Sequence, residues 1–145
     1  MVLAPVACSG NSSSHRADVD TAAIRTADLA YVTAWLTNDA DGVMATLTDD
    51  AVIMPFGIPA IEGTEAIRTF WWPPDSPPAT ITEFTAVQHD AGGGGHIGYV
   101  RGSFSLSFEY DGKMLSNQGD YLSILRRLPD GSWRISHRAW NDLQR

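Results

Sequence analysis

"DDAVIMPFGIPAIEG", residues 49–63, is the stretch whose reading decides the fold. Two carboxylates, Asp49 and Asp50, lead into "AVIMPF" (51–56), which reads as a strand. Pro55 has no amide proton, so the strand must lie at an edge, bulge or end there. Gly57 and Pro59 then shape a turn, and "GTEAIRTFWW" (63–72) reads as a helix with Glu65 favourably placed in its first turn. The segment is either the mouth of a site, with a carboxylate pair at its lip, or a core strand that ends in a turn.

Upstream, Asp18 and Asp20 can cap a helix over about 20–37. Ile24, Ala27, Tyr31, Ala34 and Trp35 share one face at helical spacing, and Leu29, Val32 and Leu36 form a second stripe. "NDADG" (38–42) breaks the chain, and a short helix carrying Val43, Met44 and Leu47 follows, capped by Asp39 or Asp41. Downstream, "PPDSPPA" (73–79) is a stiff loop. From Thr80 the pattern is all strand. Phe104, Leu106 and Phe108 alternate with Ser103, Ser105, Ser107 and Glu109. "DG" at 111–112 signals a hairpin, "DAGGGG" (90–95) and "LPDG" (128–131) signal turns, and "SWRISHRAW" (132–140) is the last strand. Helices first and a meander of long strands after them mean α+β, with helices on one face of a curved antiparallel sheet.

The bulk numbers suit one domain: 145 residues, 43% hydrophobic and 19% charged. A net charge of -7 argues against a nucleic-acid partner, which needs clustered Lys and Arg. No apolar run approaches the roughly 18 residues of a membrane span. One cysteine, Cys8, excludes an internal disulfide and a cysteine-rich zinc site. "MVLAPVACSGNSSSH" (1–15) resembles the end of a bacterial lipoprotein signal, with Cys8 lipidated and residues 1–17 outside the fold. That reading places the protein at the envelope. The other reading is an N-terminal tail with an incidental thiol on a cytoplasmic protein. Residues 18–145 form the domain in either case.

Familiar chemical motifs do not fit. The glycine run 92–95 lacks the Lys-Ser/Thr of a phosphate loop and joins two strands. His15, His89, His96 and His137 have no metal-ligand spacing, so no metal is expected, and no GxSxG elbow is present. Aromatic side chains remain, most of them expected in a packed core. Tyrosines on inward faces are the exceptions, because a buried phenol needs a hydrogen-bond partner.

"AYVTAWLTNDADGVMATLTDDAVIMPFGIPAIEGTEAIRTFWW" (30–72), with "YDGKMLSNQGDYLSILRRLPDGSWRISHRAWND" (110–142) and this order of elements, resembles the nuclear-transport-factor-2-like superfamily. This is the cone-shaped fold of ketosteroid isomerases and SnoaL-like polyketide cyclases. The resemblance implies a conical apolar pocket between the long helix and the concave sheet, no cofactor, and a homodimer through the sheet's outer face. Ketosteroid isomerases use an Asp base, with a Tyr and a protonated Asp as oxyanion donors. On that pattern Tyr31 is the retained phenol and Tyr121 stands for the protonated acid. Trp140 is the retained pocket tryptophan, and Met54 occupies the place of the base. A thioether cannot abstract a proton, but it suits a hydrophobic ligand. Asp120 faces the other side of its strand from Tyr121 unless a bulge at Gly119 turns it inward. Glu62 and His137 are weaker candidates for a base. Arg101 without an accompanying Asp disfavours the epoxide-hydrolase branch.

The expected catalytic set is therefore Tyr31, Tyr121 and Asp120. The expected ligand contacts are Trp35, Met54, Phe56, Trp71, Phe104, Leu106 and Trp140. Three functions compete. The first is a cofactor-free isomerase, cyclase or dehydratase acting on a small hydrophobic, cyclic molecule through tyrosine donors. The second is a binding protein using the same pocket. The third is a dimeric association module.

Overall fold

The computed structural model describes residues 11–143; Cys8 and its proposed lipidation lie outside the described residues. Helix α1 (Asn11–Leu36) is followed by α2 (Ala40–Ala45), β1 (Leu47–Met54), β2 (Ile61–Glu62) and α3 (Thr64–Trp71). Four long strands complete the chain: β3 (Thr80–Gly94), β4 (Ile97–Tyr110), β5 (Lys113–Arg127) and β6 (Trp133–Trp140). The sheet order is β2-β1-β6-β5-β4-β3. It is mixed, not purely antiparallel, because β1 runs parallel to β6. A parallel pair needs a long connection, and here everything between residues 54 and 133 serves as one.

α1 begins well before the expected capping aspartates. Asp20 is buried inside the helix and faces Arg127 at 3.5 Å instead of capping it. Ile24, Asp28, Tyr31, Val32 and Trp35 form one buried stripe at i, i+4, i+7, i+8 and i+11. The expected second stripe does not exist as such, since Leu29 and Leu36 are exposed. Asn38, at φ 53°, clamps the helix end to the sheet: its Nδ2 donates to Ile81 O at 3.1 Å and its Oδ1 accepts from Ile81 N at 2.7 Å. Asp39 caps α2 by accepting from Gly42 N.

Strand register fixes which side chains face α1. Gly102, Tyr121 and Trp140 lie in one cross-strand row, and Val100, Ser123, Arg138 and Ile53 in the next. On β3, Phe84, Ala86 and Gln88 share this inner face. A register shift between Gln88 and Asp90 then restores it for Ala91. The glycine run is mostly strand: β3 continues through Gly94, and Gly95-His96 make the turn. Gly98 is required by packing, because a Cβ there would lie 2.3 Å from Ile24 Cδ1. The bare backbone lets α1 sit directly on β4. The Asp111-Gly112 hairpin has both residues at positive φ, 49° and 72°, as a two-residue turn of that type demands.

Candidate functional site

The inner face, α1 and the end of α3 enclose a cavity of about 150 Å³. α1 contributes Tyr31 and Trp35, and α3 with its C-cap contributes Trp71 and Trp72. Ala79, Ile81 and Phe84 close one side, and Phe104, Leu106 and Phe108 of β4 form the floor. Asn117, Arg138 and Trp140 complete the lining. The rings brace one another. Trp35 stacks on Trp72 at 5.0 Å and meets Trp71 edge-on at 5.1 Å, while Trp71 stacks on Trp140 at 5.7 Å. Tyr31 packs edge-on against Trp35 and Phe84. Such pairs add about 0.5–1.5 kcal/mol each beyond area burial and hold the walls in place.

Beneath the aromatic wall lies a polar cluster that sequence reasoning missed. Asp28 is fully buried on α1. Its Oδ2 accepts from Tyr121 Oη at 2.8 Å and from Gln88 Nε2 at 3.0 Å, and its Oδ1 accepts from Arg138 Nη1 at 3.0 Å. Arg138 Nη1 also donates to Ser123 Oγ at 2.8 Å. The guanidinium lies over two rings, its Cζ 4.4 Å from the Tyr31 centroid and 4.2 Å from that of Tyr121. A Cβ on Gly102 would come within 2.7 Å of the Tyr121 ring, so that glycine gives the ring its place. The signals were present. Asp28 falls on the helical stripe of Ile24, Tyr31 and Trp35, and Arg138 shares strand parity with Trp140. Charged residues at core-facing positions of a periodic pattern announce a buried pair.

The cluster tunes its phenols. Burial raises the pKa of Tyr31, opposed by the Arg138 charge and by a hydrogen bond from Trp35. Burial also raises Tyr121 well above the usual phenol range, and the Asp28 charge and hydrogen bond add to the rise. Both phenols stay protonated. Tyr121 donates its proton to Asp28, whereas Tyr31 lines the cavity.

The expected site residues divide. Tyr31, Trp35, Trp71, Phe104, Leu106 and Trp140 come together around the cavity. Tyr121 lies on the inner face, buried and joined to Asp28. Met54 and Phe56 do not line this cavity and are 39% and 59% exposed. Ile53 is the inward residue of β1 beside Arg138, so Met54 pairs with Ala139 on the outer face. Asp120 is exposed on that outer face opposite Ser103, with its amide donating to Asn141 Oδ1 at 2.8 Å. Gly119 introduces no shift into the β4–β5 register, so nothing turns Asp120 inward. His137 is exposed with Nδ1 3.0 Å from Ser136 Oγ, and Glu62 is exposed on β2. Asp50 binds Arg126 at the surface, and Asp49 borders an open groove beside α3. No group of three or more His, Cys, Asp or Glu among the described residues is arranged to hold a metal ion. No helix among them is long and apolar enough to cross a membrane.

Comparison with known proteins agrees with this architecture. Residues 29–136 match the SnoaL-like domain family. No curated protein matches the chain. Among solved structures, it resembles a ketosteroid isomerase-like protein from Erwinia carotovora atroseptica, with a TM-score of 0.76 at 22% identity over 87% of this chain and 98% of that one. A conserved protein from Planctomyces limnophilus gives a TM-score of 0.72 at 20% identity, covering 87% of this chain and 99% of that one. An NTF2-like protein with a cystatin-like fold from Novosphingobium aromaticivorans gives 0.68 at 16% identity, covering 97% and 93%. At these identities the likeness extends to the fold alone.

Proposed function

The chain belongs to the SnoaL-like domain family, and from that premise we propose that it binds a small, single-ring apolar molecule in the aromatic cavity. The observation that carries this reading is a cavity of about 150 Å³ walled by aromatic rings, with the buried Arg138 guanidinium and the Tyr31 phenol at its lining. An apolar cavity of about that volume takes a benzene-sized guest, and a tetracyclic guest needs several times more. An oxygen on the ring would meet Tyr31 and Arg138, two donors already held in place by ring contacts. Donors fixed in a dry site can polarise a carbonyl, so isomerisation, cyclisation or dehydration of such a ring fits the same geometry. The lining holds no carboxylate and no imidazole, and Asp28 has both oxygens engaged. Binding is therefore the primary function proposed, with polarisation of the bound oxygen as its chemical consequence.

Calorimetric titration with acetophenone, a neutral single-ring ketone, tests this. Saturable binding is expected, together with a blue shift of tryptophan emission from the cavity wall. A four-ring steroid ketone should give neither. Failure of acetophenone and its ring-sized neighbours to bind at any accessible concentration would overturn the reading.

We propose further that two copies pair through the outer sheet face, where Met54, Val87, Tyr99 and Leu122 stand exposed. Light scattering that gives a monomer at all concentrations removes that pairing and leaves the cavity reading intact.

A further inference from the structure

We propose that the ligand of this cavity is an anion: a single six-membered ring carrying a carboxylate, held by Arg138. The inference rests on the cavity reading above and adds the charge of the guest. Four observations carry it.

Arg138 is 3% exposed yet lines the cavity. A buried guanidinium has five N–H groups to satisfy. Nη1 is spent on Asp28 and Ser123. Among the described residues, no group accepts from Nε or Nη2. A neutral ketone or amide oxygen satisfies one such donor well, whereas a carboxylate takes two in parallel.

The charge count points the same way. Asp28 is the carboxylate of the network, and Gln88 links it to a second guanidinium. Gln88 Nε2 donates to Asp28 Oδ2 at 3.0 Å, and Arg25 Nη1 donates to Gln88 Oε1 at 3.3 Å. The half-buried Arg25 thus places a second cation one neutral residue away from the buried Asp28 carboxylate, in a chain whose net charge is -7. A guest carboxylate balances the cluster.

The stacking geometry adds direction. The guanidinium carbon lies over the rings of both Tyr31 and Tyr121, which fix its position, and its N–H donors point outward in its own plane. Tyr31 itself lines the cavity and stays protonated, which supplies one further donor to an anionic oxygen. Opposite the charge, Trp71, Trp140, Phe104 and Leu106 offer flat apolar surface for the ring.

The test compares benzoate, benzamide and acetophenone by calorimetric titration of the full chain at low ionic strength. Benzoate is expected to bind at least tenfold more tightly than benzamide, its neutral near-isostere. Arg138→Gln should abolish that preference, bringing benzoate down to the level of benzamide, while acetophenone, which keeps the Tyr31 donor, loses less than benzoate does. Leu106→Trp, which fills the floor and leaves Arg138 untouched, should abolish binding of all three. If acetophenone binds but benzoate binds no better than benzamide, the anion proposal is overturned and the cavity reading stands. If none of the three binds, both fall. Benzoate binding that survives Leu106→Trp lies elsewhere on the protein and also overturns the proposal. Should Arg138→Gln fail to fold, the benzoate–benzamide comparison on the unaltered chain decides alone.

Discussion

Two of the aspartate–arginine pairs among the described residues do opposite jobs. Asp28 and Arg138 meet across α1 and β6 with side chains 0% and 4% exposed. Asp50 and Arg126 meet across β1 and β5 with side chains 71% and 42% exposed. The chemistry is the same and the solvent is not. Outside, water screens the pair and could replace either partner. Inside, each charge depends on the other, since an unpaired buried ion costs several kcal/mol. A surface pair contributes little and a buried one makes both positions indispensable.

That contrast can be broken by mutation. Asp28→Ala strands the Arg138 guanidinium and two further donors, and should cost about 3–5 kcal/mol of unfolding free energy in urea denaturation. The double variant Asp28→Leu with Arg138→Met should recover much of the loss, because matched apolar side chains need no partner. If the double variant is as unstable as the sum of its singles, the pair is not acting as a unit. Tyr121→Phe removes one bond to a charged acceptor but leaves Asp28 two others, and should cost about 2 kcal/mol by the same measurement.

A pH titration sharpens the comparison further. The pKa values of Tyr31 and Tyr121 are raised in the folded chain, so the unfolded phenols, ordinarily near 10.0, ionise first. The stability tied to them is complete below pH 10 and is lost as pH rises toward the folded values. Denaturation midpoints should fall on the alkaline side, and Tyr31→Phe with Tyr121→Phe should flatten that fall. The surface pair behaves in the reverse sense. Hydrogen bonds from Arg126 and Thr48 lower the Asp50 carboxyl, so its contribution is present at neutral pH and disappears as pH falls through the folded value. Asp50→Asn should barely move the melting temperature at neutral pH, and the small change should vanish in high salt. A large, salt-insensitive change would contradict the screening argument.

What was legible in the sequence follows the same divide. Local signals carried the element order. Pro55 ended β1, Asp111-Gly112 turned a hairpin, and alternation along β4 put Phe104 and Leu106 inward. Six of the expected ligand or donor residues line the cavity: helical spacing placed Tyr31 and Trp35, strand parity placed Phe104 and Leu106, and the family resemblance supplied Trp140. Met54 lies outside it by parity, since Ile53 is the buried neighbour and a one-residue step faces the other side, and Phe56 lies exposed beyond the end of β1. The parallel β1–β6 pairing left no local mark, since its partners are more than 70 residues apart. Asp28 and Arg138 give no apolar signal, because each is a charge at a core-facing position of an otherwise apolar pattern. Only their meeting across 110 positions explains why both are there.

The placement of β6 has a consequence for how the protein is made. Residues 133–140 lie between β1 and β5, inside the sheet, although they follow every other strand in the chain. A ribosome releases β1 long before its central neighbour exists. Until β6 emerges, the inward edge of β1 is unpaired, and Asp28 has no guanidinium to meet. Contacts of this sequence separation slow folding, because the entropy of closing a long loop is lost before the contact forms. By topology the meander β3–β5 pairs strands that are consecutive in the chain, whereas β1 depends on the distant β6. The strand that joins β1 to the rest of the sheet is also the one that carries the buried cation, so the fold and the site depend on the same eight residues.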